Sequence, residues 1–102
     1  MHLVEILLPL YDREGARFSQ PAFEAVSAEL TERFGGLTAH VRAPAKGLWE
    51  EPSGRTLRDD IVIYEVMVES VDAAWWAKYR GELEERFSQD EIVIRAVEIR
   101  RL

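Results

Sequence analysis

A chain of 102 residues, 47% hydrophobic and 31% charged, can bury one core and is too short for two ordinary domains, so a single domain spanning 1–102 is expected. Its 19 acidic against 13 basic residues, a net charge of −6, repel phosphate backbones and anionic lipid, which argues against nucleic acid and membrane surfaces as partners. The absence of cysteine removes disulfides, thiolate nucleophiles, iron–sulfur clusters and Cys-ligated zinc, and a reducing cytoplasm is the compartment that fits.

The opening MHLVEILLPLYDREG has an apolar run but no basic segment before it, contains Glu5 and has no small-residue cleavage site, so it reads as a strand rather than a secretory leader. Val4, Ile6, Leu8 and Leu10 alternate with Leu3, Glu5 and Leu7, giving that strand one wholly apolar face. A charged loop with Gly15 follows, and Ser19 before Pro21 marks a helix start. Phe23, Val26, Leu30 and Phe34 then recur at helical spacing until Gly35-Gly36, where glycine can take the left-handed terminal position.

Alternation resumes in LTAHVRA, with Leu37, Ala39, Val41 and Ala43 on one face and Thr38, His40 and Arg42 on the other. In DIVIYEVMVE both faces are largely apolar, the mark of a central strand. A second helix begins near Val71, capped by Ser70 or Asp72, with Trp75, Tyr79, Leu83 and Phe87 every four residues. The β-branched EIVIRAVEIRRL closes the chain as a last strand.

Strand, helix, strand, strand, helix, strand with two right-handed crossovers predicts an α+β fold, the ferredoxin-like βαββαβ sandwich: a four-stranded antiparallel sheet of order 4-1-3-2 with two helices on one face. The glycine- and proline-bearing stretch between the second and third strands is then a long hairpin. If Pro52 and Ser53 are its central turn residues, antiparallel partners become Leu48 with Leu57, Arg42 with Ile63, His40 with Glu65 and Thr38 with Met67, with Pro44 and Gly47 breaking the ladder between.

That register makes His40, Glu65 and Arg42 the candidate catalytic set, with Glu5 and Arg95 on the same face. A carboxylate beside an imidazole fixes its tautomer and stabilises its charged form, while arginine can clamp a carboxylate or enolate. The same residues could equally form a cross-strand ion network at a polar subunit interface. Trp49, Trp76 and Tyr11 are the aromatic candidates for touching a ligand or closing over one. Trp49 reads first as a lid on the end of the core, because an indole buries a large apolar area. Trp75 and Trp76 point about 100° apart on a helix, so one of them is expected to line a pocket or a subunit contact. Tyr11, Arg13 and Tyr64 could bring polar atoms to a cavity between sheet and helices, with core packing the first role for Tyr64.

With two histidines, no H-E-x-x-H spacing and no calcium-loop pattern, no metal is expected, and no glycine-rich phosphate loop or other cofactor motif occurs. The acidic residues of GELEERF alternate with arginines as a solvated helix face would. On the sheet face away from the helices, Leu3, Leu7, Ile61, Ile63 and Met67 make a patch that a monomer rarely leaves open, so a homodimer through that face is expected, with room for a small-molecule ligand.

TERFGGLT followed by GLWEEPSGRTLRDD and an apolar strand, together residues 31–65 and about a third of the chain, resembles a pattern in small uncharacterised bacterial proteins in which R-F-x-G-L-T precedes G-x-W. More broadly the layout is similar to dimeric α+β barrels, which pair their open sheet faces; some of that group are monooxygenases, isomerases or decarboxylating enzymes, and others only bind or assemble. The resemblance implies a homo-oligomeric α+β module or, as the alternative, a cofactor-independent small enzyme working through His40, Glu65 and Arg42. It supplies no catalytic residue of its own.

Overall fold

The computed structural model describes the backbone of residues 1–42 and 60–102, and the side chains of 1–39 and 60–102. Among the described residues, six elements run in the expected order: β1 (His2–Pro9), α1 (Gln20–Phe34), β2 (Thr38–Arg42), β3 (Ile61–Val68), α2 (Ala73–Arg86) and β4 (Val93–Glu98). The sheet order is β2-β3-β1-β4, all pairs antiparallel, which is the expected 4-1-3-2 order read from the other edge. β3 lies between β2 and β1, as its two apolar faces require.

The helix boundaries follow from local chemistry. α1 begins after Ser19 with Pro21 in its first turn, where a missing N–H costs nothing, although the Ser19 side chain makes no capping bond. It stops at Gly35, whose φ of 82° is the left-handed conformation and whose N–H donates to the Thr31 carbonyl. α2 starts at Asp72, whose carboxylate accepts from the Trp75 N–H at 3.1 Å.

Val4, Ile6 and Leu8 of β1 and Val62, Tyr64, Val66 and Val68 of β3 are buried beneath Val26 and Leu30 of α1 and Trp76, Tyr79 and Leu83 of α2. α1 packs against β3 and α2 against β4. The two helices are also joined directly. Glu29 of α1 accepts two bonds from Arg86 of α2, at 2.6 and 2.8 Å, and a third at 2.9 Å from the Tyr79 hydroxyl. GELEERF therefore does more than solvate a face: Arg86 reaches across to the other helix, and Glu84 accepts from the Ile92 N–H.

Candidate functional site

The observed register differs from the expected one by two residues. Thr38 is opposite Glu65, His40 opposite Ile63 and Arg42 opposite Ile61. A slip of two leaves every residue on its anticipated face and changes only who stands across from whom. His40, Arg42 and Glu65 therefore share the face away from the helices, but the directly opposed His40–Glu65 pair does not form. The expected register rested on a turn far from this pairing, and the residues between, Pro44 and Gly47 among them, lie outside the described ones. The turn itself, with Leu48, Trp49, Pro52, Ser53 and Leu57, lies outside the described residues.

Following the paired residues across the sheet gives the open face as rows. Thr38, Glu65, Glu5 and Arg95 make one polar row. On one side of it lie His40, Ile63, Leu7 and Val93, and on the other Met67, Leu3 and Val97. Within the polar row two carboxylates, Glu5 and Glu65, stand directly opposite each other, and Arg95 donates to Glu5 at 3.1 Å. Of the flanking residues, Met67 is 53% exposed, Val93 45% and Val97 46%, whereas Ile63 is buried within the chain.

The aromatic candidates sort differently. Trp76 is buried in the core and stacks on Phe34 with ring centres 5.2 Å apart. Trp75 is the half-buried one, stacked on Tyr79 with the Arg33 guanidinium 4.1 Å from its ring centre. Both indoles find cover because α2 packs on the sheet and on α1, which widens its apolar stripe. Tyr11 is half-buried against the core and bridges to Arg17 across a small turn. Arg13 pairs with Asp90 at 2.9 Å.

At the interhelical clamp, the bonds from Arg86 hold the Glu29 carboxyl below its usual range despite partial burial. Burial, reinforced by the bond to Glu29, pushes the Tyr79 hydroxyl well above its usual range. Both groups are thereby fixed in their neutral-pH states, which suits a structural tie rather than proton transfer.

On the helix side a cleft of about 400 Å³ opens between the start of α1 and the sheet. Leu10, Phe18, Phe23, Val62 and Tyr64 give it an apolar, largely aromatic lining. The Tyr64 hydroxyl donates to the Phe23 carbonyl at 3.2 Å, so its polar atom is satisfied at the wall. Exposed Arg17 and Gln20 complete the lining with Ala39. Arg17 was not anticipated: it lies in the charged loop, and nothing in the local pattern separates it from Arg13.

The loop that carries Arg17 is tightly built. The Asp12 carboxylate accepts from the N–H groups of Glu14 and Ala16, the Asp12 N–H donates to the Ala16 carbonyl, and Gly15 takes a φ of 84°. The Phe18 N–H then returns to the Leu10 carbonyl at 2.9 Å. Among the described residues no group of three metal-ligating side chains occurs, and no helix is long and apolar enough to cross a membrane.

No protein-family model and no curated protein matches the sequence. Solved structures do share the fold. A phage SAM lyase in complex with S-methyl-5'-thioadenosine aligns over 95% of this chain and 80% of its own, with 15% identity and a TM-score of 0.56. A single-residue variant of CutA1 from Pyrococcus horikoshii OT3 aligns over 100% and 86%, with 16% identity and a TM-score of 0.56. CutA1 from Pyrococcus horikoshii aligns over the same shares, with 17% identity and a TM-score of 0.52. The chain is a small α+β module of this ferredoxin-like kind.

Proposed function

We propose that the protein is a self-associating α+β module in which two copies pack open sheet face to open sheet face, leaving the helix-side cleft of each free to bind a small molecule. The row pattern carries this reading. With a two-fold axis laid along β1, β4 of one copy crosses β3 of the other. Arg95 then meets Glu65 of the second copy at both ends of the polar row, and half-exposed Val97 meets Met67. The flanking charges and apolar residues are matched, as an isologous contact demands, while Glu5 on the axis faces the same carboxylate of the second copy with Arg95 bonded beside it. Aligned sheets pack face to face at about 10 Å. A protein of the same fold holding S-methyl-5'-thioadenosine supports the small-molecule part.

The test is the mass in solution. Light scattering at micromolar concentration is expected to give about twice the 11.8 kDa of one chain, and a mass at 11.8 kDa overturns the association. A second reading, acid–base catalysis by His40, Glu65 and Arg42, draws support from their common face. It requires that face to stay open to substrate in the assembly, and hydrogen exchange along β3 that slows on association counts against it.

A further inference from the structure

We propose that the helix-side cleft takes a flat aromatic carboxylate, its ring against Phe18, Phe23 and Tyr64 and its carboxylate on Arg17. This rests on the reading of that cleft as a binding place, and it names the ligand class.

The shape argument comes first. About 400 Å³ lies within the range of small-ligand sites, towards its small end, and suits one or two fused rings. Phe18, Phe23 and Tyr64 present rings to the cleft, and flat ligands pack well against rings. The buried Tyr64 hydroxyl is already engaged with the Phe23 carbonyl and asks nothing of the ligand's apolar body.

The charge argument selects the head group. Arg13 is paired with Asp90, Arg86 with Glu29 and Arg95 with Glu5, while Arg33 lies over the Trp75 ring. Arg17 has no such partner among the described residues, and it is the one charged side chain they contribute to the cleft lining. On a chain of net charge −6, Arg17 stands beside an apolar cleft without a carboxylate, a position it shares with Arg80 at a smaller cleft beside Trp76. A guanidinium offers a planar fork of donors that matches a carboxylate with two parallel bonds. Gln20, also in the lining, can donate to the same group.

Placement makes the arginine useful. The Asp12 turn and the Phe18 to Leu10 bond hold the Arg17 backbone beside the cleft before any ligand arrives. Binding then orders one side chain rather than a loop, which lowers its entropic cost.

The test uses naphthalene-2-carboxylate and its neutral counterpart 2-naphthalenemethanol, titrated into the full chain and followed by amide and methyl NMR shifts. The carboxylate is expected to bind more tightly, with shifts centred on Ala39, Val62 and Tyr64. Arg17→Gln, a change at an exposed position that leaves the core untouched, is expected to weaken the carboxylate about tenfold and leave the alcohol unchanged. Arg17→Lys is expected to recover part of the loss. If both probes bind in the cleft but Arg17→Gln affects them equally or not at all, the ligand class is wrong while the cleft remains a binding place. If neither probe binds at millimolar concentration, or the shifts centre elsewhere, the cleft reading falls with it.

Discussion

Glu29 of α1 and Arg86 of α2 face each other as a two-pronged pair, with both bonds shorter than 3 Å and the Tyr79 hydroxyl donating to the same carboxylate. The pair ties two helices that share no backbone bond, yet its members are 41% and 37% exposed, so solvent screens much of its strength. A double-mutant cycle with Glu29→Gln and Arg86→Gln is expected to give a coupling of about 1 kcal/mol or less. Folding lowers the Glu29 pKa, so this contribution is present above the ordinary carboxylate range and is lost as pH falls through the lowered folded value. The difference in urea midpoint between the wild type and Glu29→Gln should therefore be largest near neutral pH and close in acid. A gap that stays constant into acid contradicts the pairing.

Gly35 ends α1 with a φ of 82° and no atom crowding the place where a Cβ would sit. The cost of Gly35→Ala is then backbone strain alone, about 1 kcal/mol, and Gly35→Asn should recover part of it because asparagine tolerates the left-handed region. Urea unfolding of the three proteins checks the order Gly, Asn, Ala. Equal midpoints for glycine and alanine would show that the helix ends differently.

These stops and spacings are what the sequence makes legible. Gly35-Gly36, Pro21 and Asp72 act through neighbours along the chain, and the alternation in β1 and β3 reports burial directly. Register is another matter. Its two-residue offset leaves the faces unchanged, so apolar alternation cannot detect it, and only a continuous ladder to the turn could have done so. The cleft was half legible: Tyr64 was placed near a cavity, but Arg17 depends on which arginines acquire acidic partners in three dimensions. The Glu29–Arg86 tie was hidden for the same reason, since its partners lie far apart in the chain.

Trp76 is a core side chain whose edge also lines a small cleft with Val71 and Arg80. It is 6% exposed and stacked on Phe34 with rings 6° from parallel, so Trp76→Ala removes a core side chain and leaves a cavity. A loss of about 3–5 kcal/mol is expected, enough to threaten folding of a small domain. Trp75→Ala, at a half-buried ring that also carries Arg33, should cost clearly less. Thermal unfolding of the two variants ranks them, and the reverse order would show that Trp75 carries more of the packing than Trp76.

Self-association can be tested at residues that the fold itself does not need. Ile63 is unsuited, because it is already buried in one chain and a charge there would unfold the protein before it reported on an interface. Met67 and Val97 are paired to the same β1 residue, Leu3, and both are about half exposed. Met67→Glu or Val97→Lys should therefore leave stability nearly unchanged while weakening the dimer, and Ala28→Lys, on the exposed face of α1, should do neither. The polar row gives a sharper test. Within one copy Arg95 and Glu65 are separated by β1, about 9–10 Å at two strand spacings, so they do not pair directly. Across the proposed two-fold they do. Arg95→Glu and Glu65→Arg should each weaken association, since each sets like charges against each other in the second copy. The two changes combined should restore it, with monomer stability followed separately because Glu5 lies between them in the row. Sedimentation of the three variants decides the matter: recovery in the double variant places Arg95 against Glu65 of a second copy, and losses that simply add show that the copies meet in some other way.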